Sequence, residues 1–414
     1  DKPPLPGAFT TERLHTRRIQ FSYGWDWAER FVTCGISVIC RIEFDSAPRI
    51  ENAYIYTQNI DSLGAYLKLC INFKNYASGL YYGAEILDPG GNTVYSFSAY
   101  SEEPTHTLDI NISSPKLWYP HGYGEQPLYT LKIYVNGEIF SQKFGIRTVK
   151  IIRQEDKENS PEYELCKFLR STPSGKEYDK NETFSSFTLA VNGIKIFCKG
   201  ADHVPCEPFV SAVKKEKITA LLTLAKDAGM NMIRVWGGGI FESDYFYSEC
   251  DRLGIAVTQD FLMACGTYPE DDGDFLNQLK KEAEYASIRL RNHPCLMWWT
   301  GDNENAVNGS DSDVSFPGRA SALKAIAPVL YKNDPSRAFL PSSPYGGKPY
   351  ASKTVGTTHN TQFLGTFFDY VLNKDLGDIK NIFKEFSARF IAEEPVMGAA
   401  STPSLLKMMT SDDL

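Results

Sequence analysis

Short runs in which apolar and polar residues alternate fill residues 34–150. Such alternation is typical of strands that bury one face and expose the other. The runs read GISVICRIEF, AYLKLCINF, TVYSFSAY, LYTLKIYV and GIRTVKIIR, and turn-forming clusters such as DPGGN and YVNGE separate them. Short strands divided by turns over about a hundred residues predict an antiparallel β-sandwich.

The pattern changes near residue 190, where strand-like runs begin to alternate with helical stretches. The strand-like runs are IKIFCKG, MNMIRVWGGG, IAVTQDFLMA and CLMWWTGDNEN, followed by RAFLPSS, KTVGTTH and ARFIAE. The helical stretches include KKEKITALLTLAKDAG, SDYFYSECDRLG and DFLNQLKKEAEYASIRLRN, and a further helix is predicted in TPSLLKMMT. This repetition predicts a parallel sheet, and apolar residues on both faces of the runs predict strands covered on both sides. Seven strand–helix units predict a (β/α)8 barrel that lacks its eighth unit.

Both ends of the chain look cut. Only about thirty residues precede the sandwich, and an unclosed barrel would expose strand edges and apolar faces. We therefore expect a fragment, with the remainder of its own polypeptide as the missing partner.

Composition narrows the possible functions. The 414 residues carry a net charge of −8, which argues against nucleic acid because its binding requires a cationic surface. No apolar run approaches the roughly 18 residues of a membrane span. The nine cysteines are scattered and lack metal-site spacing, so they are predicted to be reduced thiols. No signal peptide is visible at the start, and the sequence predicts no compartment.

Two glutamates stand where predicted strands end: Glu304 after CLMWWTGDN and Glu393 at the end of ARFIAE. Catalytic residues of a barrel occupy the carboxyl ends of its strands. Glycoside cleavage needs two such carboxylates, one to protonate the leaving oxygen and one to attack the sugar or activate water. A separation of about 5–5.5 Å gives retention of configuration, and one of about 6.5–9.5 Å gives inversion. A pair of unrelated surface glutamates is the alternative at this point.

Longer stretches resemble glycoside hydrolase family 2, in its β-mannosidase branch. RVWGGGIFESDYFYSECDRLGIAVTQDFLMACGTYP resembles the second and third strand units, and NHPCLMWWTGDNEN resembles the acid/base strand, which usually ends in Gly-Asn-Asn-Glu. SYGWDWAERFVTCGI is similar to the loop that leaves the family's N-terminal jelly roll and reaches the active site. LWYPHGYGEQPLYTLKI and FGIRTVKI are similar to its central immunoglobulin-like domain.

The resemblance runs from about residue 18 to residue 411 and implies a multidomain fold, α/β plus all-β. Residues 1–33 would be the end of a jelly-roll sugar-binding domain with its active-site loop. Residues 34–152 would form an immunoglobulin-like β-sandwich, and residues 153–414 an incomplete catalytic TIM barrel without its last strand.

The resemblance also implies roles for single residues. Glu304 would be the general acid/base and Glu393 the nucleophile, while Asn303 would bind the sugar hydroxyl next to the anomeric carbon. Arg234, at the end of the second barrel strand, would keep the nucleophile ionised, because a nearby cation lowers the pKa of a carboxylate. The substrate-binding candidates are Trp25, Asp26, Trp27, Asp202, His203, Trp236 and His359.

Several positions depart from the family pattern. Ala392-Glu393-Glu394-Pro395 replaces the usual Ser-Glu-Tyr/Phe-Gly, so Glu394 stays open as the nucleophile. Asp202-His203 stands where the family tends to have Asn-Trp, Asp302 replaces an asparagine, and the tyrosine expected two residues after His359 is absent. The two histidines lack paired ligand spacing, and we expect no metal.

The resemblance implies a retaining exo-β-glycosidase, β-mannosidase-like and without a cofactor, acting on a terminal β-linked sugar of an oligosaccharide. A β-glucosaminidase, β-galactosidase or β-glucuronidase preference within the same chemistry is one alternative. A carbohydrate-binding relative without turnover is another, favoured by the altered nucleophile loop and disfavoured by the retention of both glutamates. The 414-residue chain alone is expected to be inactive, because an open barrel cannot hold two glutamates to catalytic tolerance.

Overall fold

The computed structural model describes most of the chain. The described residues are 5–35, 40, 42, 44, 46–172, 181–308, 316–347, 352–360, 384, 386–394, 402–407 and 410. The predicted strand GISVICRIEF and the end of the predicted helix TPSLLKMMT lie largely outside them. None of the described helices is long and apolar enough to span a bilayer.

Two antiparallel sheets form an all-β unit with one shared core. Their strands are β1 (Arg49–Asp61), β2 (Gly64–Lys74), β3 (Leu80–Leu87), β4 (Thr93–Ser101), β5 (Thr105–Ile112), β6 (Tyr129–Val135) and β7 (Glu138–Phe144). The sheet orders are β1-β2-β5 and β4-β3-β6-β7. Burial alternates along β2 and β6, so the inward residues of both sheets, including Leu67, Leu69, Leu131 and Ile133, meet in the core. The alternating pattern therefore predicted the buried faces of these strands.

A small antiparallel sheet links this unit to the second half of the chain. It contains β8 (Val149–Ile152), β9 (Thr188–Val191) and β10 (Ile194–Ile196), in the order β10-β9-β8, and helix α1 (Pro161–Ser171) lies between β8 and β9 along the chain. The expectation that IKIFCKG is one parallel strand was wrong. Asn192 and Gly193 adopt φ angles of 51° and 79°, the left-handed values of a tight hairpin turn. This turn folds residues 194–196 back onto β9.

The parallel sheet predicted from the strand–helix repetition is confirmed. Five strands pair in chain order: β11 (Gly200–His203), β12 (Met232–Val235), β13 (Ala256–Asp260), β14 (Leu296–Thr300) and β15 (Ala338–Leu340). Strands β16 (Thr357–His359) and β17 (Phe390–Glu393) form a second parallel pair. The helices are α2 (Lys215–Asp227), α3 (Asp244–Leu253), α4 (Gly273–Leu290), α5 (Ala327–Asn333), which a π-helical turn at Ser321–Ile326 precedes, and α6 (Thr402–Leu405). Every residue of β12, β13 and β14 is buried.

Local signals in the sequence fix where the helices between these strands begin and end. The Ser243 side chain accepts a hydrogen bond from the Phe246 amide at the start of α3, and Gly254 ends that helix with a φ of 77°. Asp272 caps α4 in the same way. These residues are the preferred helix caps and stops. Because each helix returns the chain to the same side, all the parallel strands end at one edge of the sheet.

The all-β unit packs against the opposite, amino-terminal end of the parallel strands. The Arg147 guanidinium donates to the carbonyls of Pro294 and Leu296 at the start of β14, over 2.9 and 2.8 Å. Buried Asp334 accepts hydrogen bonds from the Tyr54 hydroxyl at 2.6 Å and the Trp299 indole at 2.8 Å. In the part of the chain that the structure describes, the all-β unit therefore does not cover the carboxyl ends of these strands.

Candidate active site

The carboxyl ends of the parallel strands open into a cavity of about 1010 Å³. Residues of β11, β12, β14 and β17 line it, together with residues 8, 9 and 25–27, which precede the all-β unit. The predicted site residues in this lining are Trp25, Asp26, Trp27, Asp202, Arg234, Trp236, Asn303, Glu304 and Glu393. Residues separated by up to 368 positions in the sequence thus share one cavity.

Buried Arg234 lines the cavity and contacts four other side chains. Its Nη1 donates to Glu393 Oε2 at 2.9 Å and to Asp202 Oδ1 at 3.1 Å. Its Nη2 donates to Asp260 Oδ2 at 2.7 Å and to Asn303 Oδ1 at 2.6 Å. Burial by itself would lower the pKa of Arg234, but the surrounding carboxylates outweigh it and raise that pKa well above its ordinary value. The guanidinium is therefore a permanent cation, and it orients four oxygen-bearing side chains.

The two predicted catalytic glutamates face each other across His359. The imidazole Nδ1 lies 2.7 Å from Glu304 Oε1 and 3.7 Å from Glu393 Oε2. One oxygen of each carboxylate and one imidazole nitrogen all lie within 4.8 Å of one another. His359 Nε2 lies 3.0 Å from the Ser343 hydroxyl, so both ring nitrogens have partners.

These three side chains are also the donor set that could hold a metal ion. Two carboxylates and an imidazole with an open fourth position would suit zinc. In the structure, Arg234 donates to Glu393 and the imidazole of His359 contacts Glu304, so both carboxylates already have partners within the chain.

The local environment shifts the pKa values of the carboxyls in different directions. Burial raises the pKa of Glu304, but the hydrogen bond and charge of His359 and the contact with Cys265 outweigh it, and the net shift is downward. Burial raises the pKa of Asp202 to about 6, although Arg234 opposes this. Burial also raises the pKa of Asp26, with repulsion from Glu393 and Glu304 adding to it. The site therefore contains acidic groups that titrate at different pH values.

Aromatic rings form one wall of the cavity. The Trp25 and Trp27 rings approach Trp236 with centroid distances of 4.9 and 5.7 Å, both edge to face. Trp27 also stacks on Phe21 at 5.3 Å. Gly238 permits this wall, because a Cβ there would lie 1.8 Å from the Trp236 indole. Aromatic faces beside carboxyl groups are suited to packing against a sugar ring, whose C–H face is apolar and whose hydroxyls are polar.

The other predicted positions lie around the cavity. His203 lines a neighbouring apolar pocket of about 390 Å³, and its Nε2 lies 3.0 Å from Glu242 Oε1. His359 is only 9% exposed and contacts the glutamates rather than open space. Glu394 lines the cavity and accepts a hydrogen bond from Asn360 Nδ2 at 3.0 Å. Asp302 is fully buried and accepts a hydrogen bond from the Ser342 hydroxyl, and burial raises its pKa well above the ordinary value.

Sequence reasoning missed three residues of the site. Asp260 ends β13 and binds Arg234, and the strand-end rule that selected Glu304 would also have selected it. Cys265 contacts Glu304, and Ser343 contacts the imidazole. These two lie in loops whose path the apolar pattern does not determine.

Comparison with known proteins decides the family. The model of glycosyl hydrolases family 2 matches residues 49–147. Beta-mannosidase B of Neosartorya fischeri is 31% identical over an alignment of 389 residues that covers 88% of this chain and 43% of that protein. Beta-mannosidase B of Emericella nidulans is 31% identical over 391 residues, with 89% and 43% covered. The crystal structure of a β-D-mannosidase from Dictyoglomus thermophilum superimposes with a TM-score of 0.82 at 31% identity, covering 99% of this chain and 48% of that one. The chain belongs to glycosyl hydrolases family 2.

This family 2 chain spans 43% of the length of the curated relatives it matches. Its fold is also similar to that of β-glucuronidase 3 from Bacteroides uniformis, with a TM-score of 0.53 at 19% identity over 70% of this chain and 33% of that one. The predicted family is confirmed, and so is its mixture of α/β and all-β structure.

Proposed function

We propose that this family 2 chain carries the active site of a retaining exo-β-glycosidase. The observation that carries the proposal is the pair Glu304 and Glu393, which converge on one cavity with an oxygen of each within 4.8 Å of the other. This separation favours retention over inversion, because an inverting enzyme needs space for a water molecule between its carboxyl groups.

In the proposed mechanism Glu393 is the nucleophile. Its pairing with Arg234 favours the ionised form that attack on the anomeric carbon requires. Glu304 gives a proton to the leaving oxygen as the glycosidic bond breaks, and a glycosyl ester on Glu393 forms. Glu304 then takes a proton from water, whose oxygen attacks the anomeric carbon and releases the free carboxylate. Asn303, oriented by Arg234, is placed to bind the adjacent sugar hydroxyl.

Glu393 is favoured over Glu394 as the nucleophile by its neighbours. Arg234 donates directly to Glu393. Glu394 instead pairs with Asn360, and burial raises its pKa. A raised pKa reduces the ionised fraction that a nucleophile needs.

The fold we propose is an incomplete (β/α)8 barrel over residues 153–414, an immunoglobulin-like sandwich over 34–152 and the end of a jelly roll over 1–33. Cα atoms of β17 and β11 approach within 8 Å, and Arg234 connects β12 with β17. Both observations support strands that curve around one axis. The same curvature brings Glu393 to the cavity that Glu304 lines.

A terminal β-mannoside is the proposed substrate class. The relatives at 31% identity are named β-mannosidases, and the aromatic wall of Trp25, Trp27 and Trp236 would close one end of the cavity over a single sugar. Another sugar preference within the family is the alternative, since Asp202 and His203 depart from the family pattern. Loss of turnover is the second alternative, and the altered residues after Glu393 favour it.

The decisive experiment uses the whole protein that contains this chain, assayed with nitrophenyl β-glycosides. We expect β-mannoside to be cleaved with retention, Glu393→Ala to lose roughly 10³-fold or more in kcat, and azide to restore turnover by forming the inverted α-mannosyl azide. Glu304→Ala should spare activated substrates and fail on poor leaving groups. Rescue of Glu394→Ala by azide, with none for Glu393→Ala, would reassign the nucleophile. Inversion of configuration, or full activity in Glu304→Ala on poor leaving groups, would refute the mechanism.

A further inference from the structure

The thiol of Cys265 lies between the two polar residues at the end of β14. Its Sγ is 3.3 Å from Glu304 Oε2 and 3.3 Å from Asn303 Nδ2. A thiol has one hydrogen to donate and lone pairs with which to accept. The arrangement therefore satisfies both contacts at once: the S–H donates to the carboxylate, and the sulfur accepts from the amide.

The protonation state of the thiol supports this assignment. Burial raises the pKa of Cys265 well above its ordinary value, and the charge of Glu304 adds to the shift. The residue is 9% exposed and is a neutral S–H donor at neutral pH. A thiolate nucleophile is disfavoured here, because that role needs a lowered pKa.

The backbone holds the thiol in place from two directions. The Cys265 amide donates to the Asn303 carbonyl at 2.8 Å, and the Cys265 carbonyl accepts from the Ala8 amide at 2.9 Å and from Arg13 Nη2 at 3.0 Å. Cys265 has a φ of 48° and Glu304 a φ of 59°. Left-handed backbone is unfavourable for a residue other than glycine, and here it aims two side chains at each other.

We propose that Cys265 is a positioning residue that fixes the orientation of the acid/base Glu304 and the sugar-binding Asn303. This inference rests on the proposed function. His359 holds the Oε1 side of the Glu304 carboxyl and Cys265 holds the Oε2 side. With the thiol removed, the carboxyl can rotate about its terminal torsion, which is intrinsically soft. Proton delivery to the leaving oxygen then loses alignment, while attack by Glu393 is unaffected.

The test is a leaving-group series of aryl β-mannosides on the whole protein, comparing Cys265→Ala, Cys265→Ser and a control. General-acid catalysis matters most for poor leaving groups, so Cys265→Ala should lower kcat/KM by about 10-fold or more for phenyl mannoside and by less than about 3-fold for dinitrophenyl mannoside. Cys265→Ser keeps an O–H donor and should restore most of the loss. Cys250→Ala removes a buried thiol from α3, remote from the cavity, and should leave both rates unchanged.

An equal loss on all substrates, or no loss, would overturn the proposal. Thermal unfolding of each variant separates a folding defect from misalignment. A folding defect would lower both the Tm and the rate on every substrate, whereas misalignment of Glu304 would lower the rate on poor leaving groups without lowering the Tm. Glu304→Ala distinguishes this inference from the proposed function. If Glu304→Ala lacks the leaving-group dependence, the acid/base assignment fails; if it has that dependence and Cys265→Ala does not, only the positioning role fails.

Discussion

At the scale of single residues, the site concentrates negative charge around one guanidinium. Asp202, Asp260 and Glu393 all accept hydrogen bonds from Arg234. Burial raises the pKa of Asp202 to about 6 and the charge of Glu393 adds to this shift, while Arg234 opposes it. The proton that Asp202 binds is therefore linked to the free energy of folding.

Asp202→Asn should stabilise the protein at neutral pH. The folded-state pKa of about 6 lies above the ordinary 3.8, so the contribution of Asp202 to stability is full below about pH 4 and is lost as the pH rises through 6. Asparagine keeps the acceptor for Arg234 without the charge, and we expect a gain on the order of 1 kcal/mol at pH 7.5 that disappears near pH 4. Urea unfolding at both pH values measures it. Asp109→Asn, on an exposed pair with Lys68, should change stability by less than about 0.5 kcal/mol, and an equal gain there would contradict the account.

Substitution of His359 should shift the pH dependence of catalysis. His359 is the main group that opposes the effect of burial on Glu304, so His359→Gln, which lacks a donor at the Nδ1 position, should raise the pKa of Glu304. A general acid works while it is protonated, and the alkaline limb of kcat/KM should therefore move to higher pH. His359→Asn places an amide donor near the Nδ1 position and should shift the limb less. A limb that stays in place in both variants would remove His359 from the control of Glu304.

The sequence predicted most residues whose position follows from strand ends, Asp260 being the exception, and it missed Cys265 and Ser343, which lie in loops. Arg234, Glu304 and Glu393 lie at or just after the carboxyl ends of parallel strands, and topology brings such ends together. The contact of Cys265 with Glu304 depends instead on two left-handed backbone angles and on a pairing with Asn303. Because neither Cys265 nor Glu304 is a glycine, nothing in the sequence indicated that their backbone would be left-handed.

At the scale of elements, glycines allow the loops after the strands to approach each other closely. A Cβ on Gly237, just after β12, would lie 2.5 Å from the Met263 carbonyl and 2.8 Å from the Phe261 carbonyl. The Gly237 amide also donates to Asp260 Oδ2 at 3.1 Å. The loops after β12 and β13 are thus packed backbone against backbone beneath the cavity.

Gly237→Ala should cost about 1–3 kcal/mol, because both clashing atoms are backbone oxygens that cannot rotate away. Gly273→Ala is the matched control, since a Cβ at this first residue of α4 meets nothing within 4 Å. Alanine is the better helix former, so the control should be neutral or slightly stabilising. Chemical denaturation of both variants measures the difference. Equal stability of the two would show that the loops can separate without loss.

Element boundaries were harder to predict than element types. The apolar run IKIFCKG looked like one strand, yet its first half pairs with β9 and its end opens the parallel sheet at Gly200. A Cβ at Gly200 would lie 1.9 Å from the Met232 carbonyl. The pattern of apolar residues indicates which residues are buried, but both sheets bury their residues. The pattern therefore does not show where the chain leaves one sheet for the other, which depends on the close approach at Gly200.

At the scale of the whole molecule, Asp334 ties the all-β unit to the parallel sheet. Asp334 is 1% exposed, and its side chain accepts hydrogen bonds from the Tyr54 hydroxyl and the Trp299 indole. Both of its Oδ atoms also accept from Nη1 of Arg337. Tyr54 is 280 positions away in the sequence. No local pattern could predict that pairing, because it depends on how two finished units dock.

Asp334→Ala should cost about 3–5 kcal/mol, since it leaves the buried Arg337 without its counter-charge. Tyr54→Phe removes one hydrogen bond from the same carboxylate and should cost about 1–2 kcal/mol. Urea unfolding followed by tryptophan fluorescence measures both. If the two variants lose the same stability, the ion pair with Arg337 adds nothing to the junction between the units.

The N-terminal segment depends on residues that are made much later. Arg13 donates to the carbonyl of Ala264, 251 positions further along the chain, and Trp25 reaches its neighbour Trp236 only in the folded sheet. At about 5–20 residues per second, a ribosome needs roughly 13 to 50 s to synthesise that interval. Throughout this time the Trp25 ring has no folded sheet to pack against. A part of the pocket that leaves the ribosome before the strands it packs on can therefore reach its place only after they are made, and slow elongation prolongs its exposure to aggregation and proteolysis.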